Sequence, residues 1–591
     1  MDYRDLNGNG RLDPYEDPRR PLEERVDDLL SQLTLEEKAG LMYHSPIGMG
    51  PAGELLEEPA PFSPVTTPEL VKERLINHFN IYWSPGPRET ALWHNRLQKL
   101  AEGTRLGIPV TVSSDPRHGF SENPATSMSS GALSAWPEPI GLAATRDDEL
   151  VWSFGDIARQ EYLALGIRAA LHPTADLSTE PRWARCSGTF GEDAALSSRL
   201  LAAYVQGFQG DELGPQSVAC MTKHFPGGGP QADGEDPHFA TGKDQVYPGG
   251  NFEYHLGPFE AAFAAGTAMV MPYYGRPVGT ELEEVGFGFN KQVITGLLRE
   301  RFGYEGVVCT DWGLVSDADL GEWVFYAKCW GVEDLSAADR VAKIIDAGCD
   351  QLGGENDPAL LVELVRSGRI SEQRLDESVR RLLRVKFRLG LFDNPYVDED
   401  AAVQIAGREE FRRAGEEAQR RSLVLLANNG VLPVQPRPRL YVEGIDGTTA
   451  AEYGDVVESP ADADLAVLRI AAPFEPREGF LESIFHQGSL EFPPEERDHI
   501  LGIAAEVPTV VDVFLDRPAI LTELAHGAAA LVASFGAADV AVLDLVFGRF
   551  EPSGKLPFEL PSSMDAVLRQ LPDVPYDSEA PLYPFGHGLT Y

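Results

Sequence analysis

Short apolar, β-branched runs alternate with amphipathic stretches from about residue 36 to residue 395, and this alternation constrains the fold more than any other feature of the chain. The apolar runs include Ile108–Ser114, Val218–Phe225, Ala268–Tyr273 and Gly306–Thr310. The amphipathic stretches include Asp148–Leu165, Asp193–Gln209 and Asp376–Leu389. A helix between two strands carries the chain back so that the strands pair in parallel, and repetition over this length predicts a (β/α)8 barrel of the TIM type. Each of the four runs ends in a polar cluster: Ser114-Asp115, Lys223-His224, Tyr273-Tyr274 and Asp311-Trp312. In a barrel of parallel strands the C-terminal strand ends carry the chemistry. One such cluster would be an ordinary strand end; four together point to an active site.

The helical pattern stops at Asn394-Pro395, because the residue before a proline is driven out of the helical region. Residues 396–415 are charged and read as a linker. A second alternation follows, with strands expected at Ser422–Ala427, Leu465–Ile470, Thr509–Phe514 and Ala529–Ser534. The expected organisation is a polar N-terminal segment (1–35), a barrel (36–395), the linker, and an α/β sandwich domain with a mostly parallel open sheet (416–591) that completes the active site. No Gly-x-Gly-x-x-Gly turn follows a strand and no phosphate-binding P-loop occurs, which argues against a nucleotide cofactor.

Composition narrows the partners. The chain has 92 acidic and 50 basic residues among 591, a formal net charge of −42. Such a polyanion repels phosphate backbones and anionic lipid, so neither nucleic acid nor membrane is an expected partner, whereas a neutral ligand such as a sugar is compatible. The most apolar stretch, Gly527 to Gly548, is interrupted by Asp539 and Asp544 and does not read as a membrane span. The opening residues are polar and show no leader pattern, so a cytoplasmic location is expected, or secretion if the chain is a processed form. The five cysteines are widely spaced, without a Cys-x-x-Cys pair, and read as buried thiols. A homo-oligomer is left open.

Residues 5–16 carry the pattern of an EF-hand-type loop: Asp5, Asn7 and Asn9 in the first three ligand slots, Gly10 at the sharp turn, the backbone carbonyl of Arg11, then Asp13 and Glu16. Every slot is filled. Bound Ca2+ is expected there as a structural clip, with modest affinity because only Asp5, Asp13 and Glu16 bring charge. The alternative is a capped surface turn that binds nothing.

Further motifs resemble those of glycoside hydrolase family 3. Lys223-His224-Phe225-Pro226-Gly227 is similar to that family's Lys-His-Phe signature. The strand Gly306–Thr310 followed by Asp311-Trp312 resembles its nucleophile strand. Pro181-Arg182-Trp183-Ala184-Arg185 with Glu192-Asp193, the first-strand block from Arg105 to Gly119, and the C-terminal stretches Pro552–Pro557 and Tyr583–Tyr591 follow in the family's order. The resemblance implies a barrel joined to an α/β sandwich and the chemistry of a retaining exo-β-glycosidase, most often a β-glucosidase, with no organic cofactor and a glycoside as substrate. It implies Asp311 as nucleophile, Asp115 and Arg185 on hydroxyls of the terminal sugar, and Tyr273 near the nucleophile. Lys223 and His224 are donors suited to sugar hydroxyls and to keeping carboxylates charged, and Trp312 offers an apolar face to a sugar ring.

A retaining glycosidase needs a second carboxyl or equivalent as acid/base. In two-domain relatives it comes from a second-domain loop after an early strand. Glu475, which follows Leu465–Ile470 and a short Pro-aromatic turn, is the expected residue, with Glu478 and Glu482 behind it. Single-domain relatives acting on N-acetylglucosamine use an Asp-x-His dyad instead, and Asp236-Pro237-His238 stands in the corresponding neighbourhood, after a longer loop. Gly188 replaces a glutamate of many relatives, and the Gly-, Asp- and Pro-rich stretch from Gly229 to Gly257 reads as an insertion over the barrel mouth, narrowing the aglycone site or reaching a neighbouring subunit. The alternatives to a β-glucosidase are a β-xylosidase, a β-N-acetylglucosaminidase, or an inactive carbohydrate-binding relative.

Overall fold

A computed structural model describes residues 3–61, 63–319, 324–434 and 437–591. Eight strands form the first sheet: β1 (Tyr43–Pro46), β2 (His78–Asn80), β3 (Thr111–Ser114), β4 (Ile167–Ala170), β5 (Ala219–Phe225), β6 (Met269–Pro272), β7 (Val307–Val308) and β8 (Leu352–Gly353). They pair in chain order, all in parallel, and β8 lies beside β1. A parallel bridge between Cys309 and Gln351 joins β7 to β8, with Thr310 N donating to Gln351 O at 2.9 Å, so the sheet closes into the expected barrel. Parallel strands covered by helices are buried on both faces, and β3, β4, β5 and β6 are buried along their whole length.

The expected helices form where amphipathicity and caps coincide. Asp147 caps Asp148–Leu165 by accepting from Glu149 N and Leu150 N, and Gly166 ends it in the left-handed region at φ 83°. Asp193 caps Ala194–Gln209. These two helices cross closely because Gly155 and Gly207 face one another: a Cβ on Gly207 would lie 2.8 Å from Gly155 Cα.

β1, β2, β4 and β8 were not among the expected strands, and for β1 and β2 the chemistry explains why. The sequences Tyr-His-Ser-Pro and His-Phe-Asn are not apolar runs. Their polar side chains turn into the barrel, where His44 Nε2 lies 2.7 Å from Ser113 Oγ. Lys386 enters from the helix Glu372–Arg388 and donates to Asn77 O (3.0 Å), Pro109 O (2.9 Å) and Thr111 Oγ1 (2.8 Å). Burial drives the Lys386 ammonium well below its ordinary range, and its three hydrogen bonds fill this part of the barrel.

The N-terminal helix Leu22–Gln32 packs on the helix Glu372–Arg388, with Glu23 paired to Arg384 at 2.7 Å. Residues 396–415, read as a linker, are largely helical: Glu399–Ile405 and the start of Glu409–Ser422. Gly407 N donates to the buried Glu161 carboxylate of the barrel domain at 2.5 Å. The second sheet contains β9 (Val424–Asn428), β10 (Arg439–Glu443), β11 (Asp455–Val456), β12 (Leu465–Ala471), β13 (Thr509–Phe514) and β14 (Ala530–Ser534). Its order is β9-β14-β13-β12-β10-β11, parallel except for β9 against β14. Alternate residues feed two cores: Leu426, Leu468 and Val511 on one face, Leu425, Val467 and Val510 on the other. The first face also receives Ile140 and Ala144 of the barrel-domain helix Pro139–Thr145, which joins the two domains through a shared apolar layer. Among the described residues no helix is long and apolar enough to cross a membrane.

Candidate active site

One cavity opens at the C-terminal ends of the barrel strands. Asp115 follows β3, Lys223 and His224 end β5, Tyr274 follows β6, Asp311 and Trp312 follow β7, and all of them line it together with Arg185 and His238. Their convergence follows from the parallel sheet, because strands that run the same way present all their C-terminal ends at one mouth.

The charges in this mouth hold one another in place. Lys223 Nζ donates to Asp115 Oδ1 at 2.9 Å, and both side chains are buried. His224 Nδ1 lies 2.6 Å from Asp176 Oδ2, and Asp176 Oδ1 accepts from His224 N (3.1 Å) and Gly228 N (2.6 Å). Burial, then the neighbouring Arg185 and Lys223, push His224 well below its ordinary range, and burial raises Asp176 to about 6. At neutral pH the pair is therefore a neutral imidazole whose Nδ1–H donates to a carboxylate. That leaves His224 Nε2 facing Asp311 Oδ2 at 3.8 Å. Asp311 is 7% exposed; its Oδ1 accepts from Trp312 N at 2.8 Å, while Oδ2 takes no hydrogen bond. A buried carboxylate with one oxygen held and the other free is placed to react. Burial opposes the Arg185 charge, but Tyr273, Asp236, Asp311 and Asp176 surround the guanidinium and raise it above its ordinary value. It stays cationic, with its edge available to hydroxyls.

The two aromatic positions after β6 divide their roles differently from the sequence expectation. Tyr273 is fully buried behind the cavity wall, its ring 4.4 Å from that of His224 and its hydroxyl donating to Asp236 Oδ2 at 3.1 Å. Tyr274 lines the cavity and donates to Trp312 O at 2.8 Å. Successive strand-end residues point in opposite directions, so adjacent tyrosines cannot both face the mouth. Tyr82 after β2 and Asn356 after β8 also line the cavity and were not anticipated, since the strands that deliver them are not apolar in sequence.

Glu475 does not join this group. It lies on the loop after β12, exposed, with its carboxylate against Gly488 and its backbone N donating to Gln487 O at 2.9 Å. Glu478 is exposed as well, and Glu482 turns toward Gly479. Of this loop only Leu481 lines the cavity. The insertion, in contrast, delivers His238 into the mouth. His238 Nδ1 lies 2.6 Å from Asp236 Oδ1, and Asp236, fully buried, also accepts from Trp183 Nε1 at 3.0 Å. Burial opposes the Asp236 charge but His238 and Arg185 outweigh it, so its carboxyl stays below the ordinary range; burial likewise holds His238 below its own. The insertion packs on its own chain: Trp330 Nε1 donates to Pro237 O at 2.8 Å, and Gly249 N and Asn251 N donate to Asp573 at 2.9 and 2.8 Å. A Cβ on Gly188 would meet nothing closer than Thr174 Oγ1 at 3.8 Å, so the place of the absent glutamate is open space.

The N-terminal loop brings its six ligand candidates onto one turn. Asn7 Nδ2 and Asn9 Nδ2 donate to Asp13 Oδ2 at 2.6 and 2.7 Å. Asp5 accepts from Asn9 N and Gly10 N, and Glu16 from Leu6 N and Asp13 N. The loop is thus closed by hydrogen bonds, and among the described residues no three acidic, histidine or cysteine side chains are grouped as metal ligands. The ligand types are nonetheless those that calcium accepts, carboxylates, amide oxygens and a backbone carbonyl; here Asn7 Oδ1 and Asn9 Oδ1 accept from Asn9 N and Arg11 N at 3.1 and 2.7 Å.

Comparison with known proteins agrees with this architecture. Residues 86–385 match the glycosyl hydrolase family 3 N terminal domain and residues 448–591 its C-terminal domain. A probable beta-glucosidase C of Aspergillus flavus is 52% identical over 583 residues, covering 98% of this chain and 92% of the relative. A periplasmic beta-glucosidase/beta-xylosidase of Dickeya chrysanthemi is 43% identical over 619 residues, covering 100% and 93%. Among solved structures, a β-glucosidase of Erythrobacter marinus superposes with a TM-score of 0.80 at 24% identity, covering 98% of this chain and 84% of that one. The fold is thus shared well beyond the range of close sequence similarity.

Proposed function

Since the chain belongs to glycosyl hydrolase family 3, we propose that it is an exo-acting β-glucosidase that works with retention, with Asp311 as nucleophile and His238, oriented by Asp236, as acid/base. The observation that carries this reading is that one cavity holds a carboxylate with a free oxygen, Asp311, and a histidine, His238, whose second nitrogen is already engaged by a buried carboxylate. Glucose is the favoured glycone because relatives at 52% and 43% identity are named β-glucosidases. Arg185, Lys223, His224 Nε2 and Asp115 are available to its hydroxyls, and Trp312 to its ring face.

In the first step Asp311 Oδ2 attacks the anomeric carbon while protonated His238 gives its Nε2 proton to the departing glycosidic oxygen. The C–O bond to the aglycone breaks, a glycosyl ester forms on Asp311, and Asp236 supports the imidazolium before transfer. In the second step water attacks the same carbon, His238 Nε2 takes its proton, and Asp311 is released. Burial of Asp236 beside Trp183 and Tyr273 fixes the tautomer that this cycle needs. The glucosidase reading stands beside the dyad on the relatives at 52% and 43% identity, which are named for β-glucosides and not for N-acetylglucosaminides. Hydrolysis of a series of aryl and alkyl β-glucosides, β-xylosides and N-acetyl-β-glucosaminides tests the reading. A preference for xylosides would favour the second activity named for the Dickeya relative; activity only on N-acetylglucosaminides would overturn the glucosidase reading.

For the N-terminal loop we propose Ca2+, held by Asp5, Asn7, Asn9, Arg11 O, Asp13 and Glu16. Support comes from the complete slot pattern and from the crowding of amides and carboxylates on one turn. Its role would be structural, far from the mouth along the chain.

A further inference from the structure

The second domain sends a loop, residues 472–490, over the barrel mouth, yet its glutamates point elsewhere. What this loop does touch is the dyad. Gln487 is completely buried, and its Oε1 accepts from the backbone N of Asp236 at 2.9 Å. Phe485, also buried, sets its ring 4.8 Å from that of His238 and 5.3 Å from that of Phe239. Tyr274 closes the opposite approach at 4.8 Å from the His238 ring. The loop is itself rigidly held. Arg517, without exposed surface, donates to the carbonyls of Pro473, Gln487, Gly488 and Ser489 at 2.7–3.2 Å, and to Arg182 O of the barrel domain at 3.0 Å. At the rim Arg477 pairs with Glu235, the residue before Asp236, at 2.6 Å.

We infer that Gln487 and Phe485 of the second domain are positioning residues that clamp the Asp236–His238 dyad, so that this domain contributes the placement of the proton donor and not the donor itself. The inference rests on the reading of His238 as acid/base. Packing alone does not explain Gln487: its amide nitrogen is buried without a hydrogen bond, a costly state that an apolar side chain of similar shape would avoid. The gain that offsets this cost is the bond to Asp236 N, which fixes the backbone from which both dyad side chains extend. Without Phe485, the His238 ring could swing toward the second domain. A donor displaced by about an ångström loses much of its advantage in proton transfer, while the nucleophile on β7 is untouched.

The test compares Gln487→Leu, Phe485→Leu and His238→Ala on two substrates, methyl β-glucoside and 2,4-dinitrophenyl β-glucoside, with melting temperature as a control for folding. The first substrate needs a proton on its leaving oxygen and the second does not. The expected result is a loss of about tenfold or more in kcat/KM on the methyl glucoside for both loop variants, with a change of less than about twofold on the dinitrophenyl glucoside, and a larger loss of the same kind for His238→Ala. Equal losses on both substrates in the loop variants would mean that Gln487 and Phe485 merely support the fold, which overturns the clamp and leaves the acid/base reading standing. If His238→Ala itself shows no dependence on the leaving group, the acid/base reading falls and the clamp with it.

Discussion

Two loops reach toward the barrel mouth, and the contrast between them is instructive. The 472–490 loop has an acid at the expected distance after a strand, but Glu475 ends exposed beside Gly488. The 228–250 loop is longer and richer in glycine and proline, yet it buries Asp236 and places His238 in the cavity. The difference lies in what each loop packs against. The insertion is wedged between Trp183, Trp330 and Phe485, which leaves its dyad one direction to face. Glu475 has solvent as a neighbour, and a carboxylate that can reach water has little reason to give up its hydration.

The nucleophile sets the scale for any such comparison. Asp311→Ala should lower kcat by about 10⁴-fold or more on every substrate, since among the described residues the other carboxylate that lines the cavity, Asp115, is held by Lys223. Labelling with a 2-fluoro-glucoside followed by peptide mapping checks this directly; a label on any other residue removes Asp311 from its role.

The sharpest contrast between the loops is His238→Ala against Glu475→Ala. The first should cost roughly 10²- to 10³-fold on alkyl glucosides, and with dinitrophenyl glucoside, where breakdown of the glycosyl-enzyme then limits, azide should raise turnover through a β-glucosyl azide; the second should change rates less than about twofold. The reverse pattern would return the proton donor to the second domain. The pH dependence carries the same message. The donor is the protonated imidazole, and burial holds His238 below its ordinary 6.5, so the rate on alkyl glucosides should fall as pH rises through a value under 6.5. With dinitrophenyl glucoside in the glycosylation step, that fall should be absent.

Away from the mouth the effects turn from rate to stability. Lys386→Met removes the donor that satisfies Asn77 O, Pro109 O and Thr111 Oγ1, and should cost about 2–3 kcal/mol in denaturant unfolding with little change in KM. An unchanged midpoint would mean that water replaces the amine. The smallest effect belongs to the N-terminal loop, where chelation should lower the melting temperature by roughly 2 °C while leaving low-temperature activity unaltered. Isothermal titration with Ca2+ then separates a clip from a turn, as the hydrogen-bonded loop would release no heat.

Much of this molecule was legible in the sequence because burial on both faces writes itself as uninterrupted apolar runs. β3, β5, β6 and β7 could be read this way, as could β9, β12, β13 and β14 of the second sheet. So could the meeting of Asp115, Arg185, Lys223, His224, Asp311 and Trp312 in one cavity, since parallel strands deliver all their ends to the same mouth. Three things were decided only in three dimensions. β1 and β2 carry histidines, a serine and an asparagine whose hydrogen bonds run to other strands and loops, as from Ser113 Oγ to Asn80 Oδ1 and from Ser45 Oγ to Glu355 O, and such networks leave no periodic trace. Which of Tyr273 and Tyr274 faces the cavity depends on a half-turn of backbone after β6. The proton donor depends on which loop is pressed against protein and which against water, and that is a property of contacts between segments more than 200 residues apart, such as Asp236 and Gln487.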